Sequence, residues 1–279
     1  MSPTMSHPLV SVVTRTKDRP EHLREAAASV AAQTWPAVQH VVVNDGGRDV
    51  SELLAPYRER TQATYLAPGA VGRCRAGNLG LAAARGAYIA WLDDDDLYKP
   101  EHLETLVRAS ESSGAKVVYS MADRITQSRD PTTGRYRDVK TEPAPTFEWS
   151  KLALWSRAEL HLATVLYARE VHERVGGFDE SLEVLEDFDL FARMAQEYDF
   201  RRVPVNTAAY RIRDDLTNAV TSMRKEFVET RRILMSRYAH IVLPELIQII
   251  EHGERTLGGL AARVDALEAE VRALRGARR

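Results

Sequence analysis

Four consecutive aspartates end an apolar run in the middle of the chain: Ala87-Tyr88-Ile89-Ala90-Trp91-Leu92-Asp93-Asp94-Asp95-Asp96. A buried β-strand that carries carboxylates at its C-terminal tip places hard oxygen ligands where open α/β sheets bind their ligands. Carboxylates this close repel one another, so a metal ion or a cationic partner must neutralise them. The alternative is a solvated acidic loop that caps the next helix, Pro100 to Ser113. The apolar strand before the aspartates favours the ligand site.

Strands and helices alternate through the first half of the chain. Strands are predicted at residues 9–14, 38–45, 63–66 and 87–92, with helices at about 20–33, 50–60 and 72–85 between them. Alternation of this kind implies right-handed βαβ crossovers and a mainly parallel sheet with both faces covered by helices. The sequence therefore predicts an α/β fold, a three-layer sandwich.

The composition and the secondary-structure pattern of the sequence divide the chain into three parts. Residues 1–120 carry the alternating strands and helices, and residues 121–220 are richer in Asp, Arg, Thr and Pro, with a predicted hairpin turn at 130–134. The second part is expected to cover the carboxyl ends of the first strands and to hold a second substrate. Residues 221–279 are predicted to form a helical extension.

A heptad pattern marks the end of the chain. Spacings of three and four alternate among apolar residues, which are Leu257, Leu260, Val264, Leu267, Val271 and Leu274. Charged residues flank this seam, so it predicts a short coiled coil that joins copies of the chain into a homo-oligomer. Valine at two of the three a positions and leucine at d favour a parallel dimer. The alternative is an amphipathic helix that packs on its own domain.

Composition narrows the class of protein. The 279 residues include 38 basic and 40 acidic side chains, a net charge of -2, which argues against a nucleic-acid partner. The single cysteine, Cys74, fits a reducing compartment. No signal peptide or apolar run of membrane-spanning length is apparent, so a cytoplasmic protein without a transmembrane segment is expected. Arg275, Arg278 and Arg279 could add a weak peripheral contact with anionic lipid at the inner membrane face.

Three blocks of sequence, in order, carry a family resemblance. The first contains Val41-Val42-Val43-Asn44-Asp45-Gly46, the second ends in Leu92 to Asp96 with an Asp-x-Asp motif, and the third contains Gly176 to Asp179 and Leu185 to Leu190. Over about residues 8–213 the chain resembles the family 2 inverting glycosyltransferases of GT-A fold. The resemblance implies a Rossmann-like sandwich, followed here by C-terminal helices and the coiled coil. It also implies transfer of a sugar from a nucleotide diphosphate donor to an acceptor hydroxyl.

The resemblance also implies a donor site. Asp45 would contact the nucleotide base, although a turn residue at the end of a strand is the alternative. Asp95 would bind Mn²⁺ or Mg²⁺ and Asp93 would face the ribose or a metal-bound water, with Asp94 as a further candidate because the register of the run is open. Arg73 would stabilise the departing diphosphate. Three residues lie beside the expected base and ribose pocket, which are Thr14, Arg15 and Asp18. Arg15 stands where the family usually has proline.

A base that accepts the proton of the acceptor completes the expected site. Asp187 matches the family's base position, and its neighbour Glu186 could raise its pKa towards a useful value. The alternative is a helix-capping pair without a chemical role. Arg211 and Arg213 could hold a phosphate or an anionic acceptor, or could pair with Asp214 and Asp215.

The sequence therefore predicts a metal-dependent enzyme that adds one sugar, with a UDP-sugar favoured, to a glycan or another hydroxyl acceptor in cell-surface glycan or polysaccharide synthesis. A nucleotidyltransferase is an alternative, but the segment Thr14 to Arg19 lacks the glycines of a phosphate-binding loop. A scaffold without activity that assembles through its coiled coil is another alternative, and the retained acidic motifs argue against it.

Overall fold

A mixed β-sheet is the centre of the computed structural model, which describes residues 7–157, 160–215 and 223–276, with side chains as far as residue 253 apart from that of Arg157. Its nine strands are β1 Val10–Thr16, β2 Val38–Asn44, β3 Thr64–Leu66, β4 Tyr88–Trp91, β5 Leu97–Tyr98, β6 Val117–Arg129, β7 Tyr136–Pro143, β8 Val165–Ala168 and β9 Phe200–Arg213. The α-helices in the described residues are α1 Pro20–Ala31, α2 Arg58–Thr61, α3 Arg73–Ala83, α4 His102–Ser113, α5 Lys151–Arg157, α6 Arg169–Val175, α7 Glu186–Glu197 and α8 Arg224–Gly276.

The order of the strands places the site. The first four strands run parallel in the order β3-β2-β1-β4, because the chain first moves outward from β1 and then returns to its other side. This reversal leaves a crevice at the carboxyl ends of β1 and β4, where sheets of this kind bind ligands. β8 then joins antiparallel to β4, and β6 and β9 follow as a parallel pair. The α/β fold is confirmed, and the antiparallel strands β5, β7 and β8 make its second half mixed.

Helices cover both faces of the sheet. All seven residues of β1 and of β2 are buried, as expected for β-branched strands that face a core on both sides. One face packs against α1 and α4 through residues such as Val30 and Leu106. The other packs against α3 and α7 through Leu81 and Phe191. This is the three-layer arrangement that the alternating pattern predicts.

Several elements differ from the prediction in extent. The predicted helix at 50–60 is a 3₁₀ turn, Ser51–Tyr57, followed by the short α2; Pro56 lies in this segment and cannot donate a backbone hydrogen bond. The long strand β6, Val117–Arg129, forms a hairpin with β7 around the predicted turn. The boundary drawn at 120 falls inside β6, so one sheet runs through both halves.

The first part of the last helix packs on the body. Leu234, Tyr238 and Val242 are buried, and Leu234 and Tyr238 form a cluster with Phe188 and Ala192 of α7. The backbone is helical to Gly276, but the side chains of the predicted heptad seam lie outside those described. By length and composition alone, residues 224–253 could cross a membrane, so the predicted absence of a membrane span stays a prediction.

Candidate active site

The four aspartates alternate between partly exposed and buried positions. Asp93 and Asp95 keep 29% and 24% of their side-chain surface exposed, whereas Asp94 and Asp96 are buried. A turn closed by the Asp96 amide, which donates to the Asp93 carbonyl, follows β4 and produces this alternation. The Thr16 hydroxyl donates to Asp94 Oδ2 at 2.7 Å, and the Arg211 amide donates to Asp96 Oδ1 at 3.2 Å. Asp93 and Asp95 are therefore the two carboxylates of the run that can meet a ligand.

Arginines neutralise the acidic run. Arg15 forms ion pairs with Asp93 at 2.9 Å and with Glu186 at 3.1 Å, and its guanidinium lies over the rings of Trp91 and Phe178. Burial alone would raise the pKa of Asp93, but Arg15 and then Arg73 outweigh that effect and lower the pKa to about 2. Asp93 is therefore ionised at neutral pH.

A second arginine lies on the other side of the run. Arg19 contacts Asp94 at 2.8 Å and Asp95 at 2.5 Å. Arg19 is more than one-third exposed whereas Asp94 is fully buried, so Arg19 compensates the charge of Asp94 from the solvent side. The cationic partners that the sequence required for this run are thus part of the chain itself.

The Glu186-Asp187 pair begins α7 directly opposite this cluster. Leu185, with φ +61°, turns the chain into the helix. Glu186 is buried and receives Arg15 and Arg73, the latter at 2.9 Å. Asp187 lies partly exposed beside them and accepts the Phe188 amide at 2.8 Å. Burial, followed by the repulsion of Glu186, raises the pKa of Asp187 to about 6.

One cavity of about 480 Å³ connects these groups. Its floor carries the charged residues described above, which are Arg15, Arg73, Asp93, Glu186 and Asp187. The far side carries residues from β6, β9, α8 and the segment before β8, which are Arg124, Tyr210, Phe227, Arg231 and His161. The His161 ring stacks on Tyr210 with 4.4 Å between centroids. A ligand in this cavity would reach the acidic run and Asp187 together.

Two predicted donor residues organise loops at the rim of the sheet. Asp45 Oδ1 accepts the amides of Val71 and Gly72 at 2.7 and 2.8 Å, which fixes the entry into α3 and thereby the position of Arg73. Asp18 Oδ1 accepts the Arg48 amide at 3.1 Å. Contact of either residue with a nucleotide stays a prediction.

Four other predicted residues lie away from the cavity. Thr14 is buried against His40 at 2.9 Å, because it points into the sheet core rather than into the crevice. Asp94 faces inward, as described above. Arg211 reaches Glu25, Asp138 and the Asp95 carbonyl on the opposite side of the acidic run. Arg213 lies over the ring of Tyr136, 4.7 Å from its centroid. None of these four residues is among those that line the cavity, and their contact with substrate stays a prediction.

Sequence reasoning missed part of the cavity. Arg124, Tyr210, Phe227 and Arg231 come from elements whose approach depends on tertiary packing, and no motif marks them. His161 carries no motif either, and its position just before a strand of the second half is the signal that the sequence offers.

The carboxylates of the acidic run could bind a divalent ion only in an open site, in which substrate and water provide the other ligands. Among the described residues, no three His, Cys, Asp or Glu side chains converge as a metal-binding group. Asp93 lines the cavity, and Asp95, which is outside that lining, keeps part of its carboxylate exposed. Mg²⁺ or Mn²⁺ commonly takes one or two carboxylates and completes its shell with substrate phosphates and water. The chain therefore fits an ion that arrives with a diphosphate, rather than a closed protein site.

Comparison with known proteins agrees with this geometry. The model of glycosyl transferase family 2 matches residues 11–176, more than half of the chain. The chain belongs to glycosyltransferase family 2. As a member of this family it is a transferase, which favours sugar transfer over the nucleotidyltransferase and scaffold alternatives. The uncharacterized glycosyltransferase YwdF of Bacillus subtilis is 28% identical over 223 residues, 79% of this chain and 81% of that protein.

A further relative and two solved structures extend the comparison. The uncharacterized glycosyltransferase RT0329 of Rickettsia typhi is 29% identical over 79% of this chain and 69% of its own length. Residues 1–349 of S. aureus TarS superpose with a TM-score of 0.62 at 18% identity, over 81% of this chain and 65% of that one. The mannosyltransferase PcManGT of Pyrobaculum calidifontis gives 0.56 at 16% identity, over 86% and 71%. The solved structures establish the expected fold, and this chain spans just under two thirds of the TarS fragment.

Proposed function

We propose that this family 2 glycosyltransferase moves one sugar from a nucleotide diphosphate sugar to a hydroxyl of a glycan or another acceptor, with inversion. The observation that carries the proposal is the cavity that joins the acidic run at the tips of β1 and β4 to Asp187. A donor diphosphate in this cavity would lie next to Asp187, a carboxylate suited to accept a proton. Synthesis of a cell-surface glycan or polysaccharide is the process that such an activity would serve.

Asp187 is the proposed base. As the acceptor oxygen attacks the anomeric carbon, Asp187 takes the hydroxyl proton, and the bond from that carbon to the diphosphate oxygen breaks. A single displacement of this kind inverts the configuration at that carbon. With a pKa of about 6, Asp187 is mostly ionised at neutral pH and is still a useful proton acceptor.

Arg73 and Asp95 are proposed to manage the charge of the departing diphosphate. Arg73 lies at the first turn of α3 on the cavity floor and is 42% exposed, so it can turn from Glu186 towards a phosphate. Asp95, with Asp93 nearby, would hold Mn²⁺ or Mg²⁺. A divalent ion bound there supplies Lewis-acid stabilisation of the charge on the leaving diphosphate.

UDP and GDP are both candidates for the nucleotide of the donor. TarS has been solved with UDP and with UDP-GlcNAc, and PcManGT with GDP-Man and Mn²⁺. These relatives support a nucleotide-sugar donor and a divalent ion but carry two different bases. We favour UDP.

A thermal-shift panel of UDP, GDP, CDP and dTDP, each with and without Mn²⁺, tests the proposal. A ligand that binds only the folded state stabilises it by mass action and so raises the unfolding temperature. At a ligand concentration of a hundred times the Kd, the free energy of unfolding rises by about 2.7 kcal/mol. We expect the largest shift with UDP plus Mn²⁺. Failure of every nucleotide to stabilise the protein in the presence of metal would count against a nucleotide-sugar donor.

We also propose that the enzyme acts in the cytoplasm, with the cationic end of the chain available for peripheral contact at the inner membrane face. The single, buried Cys74 supports a reducing compartment. Fractionation of cells into soluble and membrane pools, with and without a high-salt wash, measures both parts of this proposal.

A further inference from the structure

The last helix presents an apolar face that the body of the protein leaves uncovered. Leu243, Ile247 and Ile250 are each at least half exposed, between 50% and 59%. Apolar residues clustered this closely on one exposed segment usually mark an interaction surface. The helix continues for 26 residues beyond Ile250, to Gly276.

This face lies apart from the surface by which α8 packs on the body. Leu234, Tyr238 and Val242 are buried, and the Glu245 carboxylate accepts the amides of Lys151 and Leu152 at the start of α5. With 3.6 residues per turn, Leu243 and Ile250 lie about a third of a turn around the helix from these contacts. One helix can therefore hold the body and a partner at the same time.

The exposed face is in register with the heptad seam of the sequence. Counting back by sevens from Leu257, an a position, reaches Ile250 and Leu243, and counting back from Leu260, a d position, reaches Gly253 and Leu246. The extended seam has β-branched residues at three of five a positions and leucine at four of five d positions, which favours two parallel strands. From Leu243 to Leu274 it would be about 48 Å long.

Charges beside the seam favour the same arrangement. In a parallel pair, a g residue of one chain meets the e residue five positions later in the other. By heptad position this pairs Arg263 with Glu268 and Glu270 with Arg275, both of opposite charge. Acidic residues along the helix also make an anionic lipid surface a poorer match than a second chain.

We propose that a second copy of this chain covers the face, in a parallel two-stranded coiled coil that begins at Leu243 on the body and continues to Leu274. Phe227 and Arg231, earlier on the same helix, line the cavity. Parallel pairing therefore places both catalytic bodies at the same end of the coiled coil. The inference is independent of the donor and of the acceptor.

Cysteine cross-linking tests the pairing in the full chain. Residues at the same a position face each other in a parallel pair and can form a disulfide, which an antiparallel pair cannot bring about at this position. Ile250→Cys should cross-link between chains under mild oxidation. Gln248→Cys is the matched control, because Gln248 is also exposed on α8 but is at the f position, on the far side of the helix from Ile250. Cys74 is buried and common to both variants.

Self-association provides the second measurement. Light scattering of the parent should give twice the 31.3 kDa mass of one chain. Leu243→Asp with Ile250→Asp should weaken association about a hundredfold or more, whereas Gln248→Asp should not, with circular dichroism confirming that each variant is folded. A monomeric parent, equal cross-linking of Ile250→Cys and Gln248→Cys, or unchanged association of the double variant would overturn the proposal. Binding of a monomeric parent to anionic vesicles would assign the face to lipid instead.

Discussion

Asp187 is the residue on which the proposed chemistry depends most. Asp187→Asn keeps the size of the side chain but cannot accept the acceptor proton, so donor binding should persist while transfer falls about a hundredfold or more. Steady-state transfer and nucleotide affinity, measured on the same preparations, separate the two effects. Glu183→Gln is the control, because Glu183 is an exposed carboxylate just before the site. Transfer within about threefold of the parent would exclude Asp187 as the base.

The pH dependence of transfer follows from the raised pKa of Asp187. Only the ionised carboxylate accepts a proton, so the rate should be low in acid, rise through about pH 6 and then level off. Below that pKa the rate should fall about tenfold for each pH unit. A rate–pH profile of the parent measures the midpoint, and a flat profile between pH 5 and 7 would contradict the assignment.

Loss of the Asp95 carboxylate should abolish metal binding and leave the protein folded. Asp95→Ala removes a carboxylate from a repulsive run, and Arg19 keeps its ion pair with Asp94, so the fold should survive. Mn²⁺-dependent nucleotide binding should be lost in titration calorimetry. Affinity equal to that of the parent would move the predicted ligand to Asp93, the other aspartate of the run that faces the crevice.

Single residues also show what sequence can and cannot predict about a site. The acidic run and Asp187 could be located from sequence because a motif fixes their place at the end of a strand or the start of a helix. The inward turn of Asp94 and Thr14 depends on which side of the backbone faces the core, and an uncertainty of one residue in register reverses it. The partners of Arg15 are distant in sequence, and Glu186 is 171 residues away.

At the scale of elements, α3 depends on a close approach to β1. A Cβ at Gly80 would overlap a methyl group of Val13 and approach Val43 within 3.2 Å. Gly80→Ala should therefore destabilise the protein, because overpacking costs about 1–3 kcal/mol and outweighs the gain of about 1 kcal/mol in helix propensity. Urea denaturation measures the difference. Gly253→Ala, in open space on α8, is the control and should not destabilise, and a stabilising Gly80→Ala would contradict this packing.

Elements with a strong local period were predictable, and those shaped by distant contacts were not. The helix predicted at about residues 20–33 is α1, Pro20–Ala31, and its buried residues recur at helical spacing. The length of β6 depends on its pairing with β9, a contact between residues about 85 apart that no local pattern marks. The heptad pattern from Leu257 to Leu274 is visible in the sequence of α8. Its continuation back to Leu243 is indicated by the exposed apolar side chains of the same helix.

The whole molecule combines a crevice at the strand tips with a cavity completed by later elements. The first half supplies Arg15, Arg73 and Asp93, and the second supplies the Glu186-Asp187 pair that meets them. Because Arg15 bridges Asp93 to Glu186, the two halves are joined by an ion-pair network at the site itself. The sheet that runs through both halves holds this arrangement in place.

Release of nucleoside diphosphate from nucleotide sugars by the parent protein tests the central claim most directly. The protein is incubated with UDP-sugars and GDP-sugars, with Mn²⁺ or with a chelator, in the presence of a mixture of glycan acceptors. We expect metal-dependent release of UDP, accompanied by acceptors that have gained the mass of one sugar. Absence of nucleotide release and of any sugar-modified acceptor across the panel, from protein that is folded, would contradict the account.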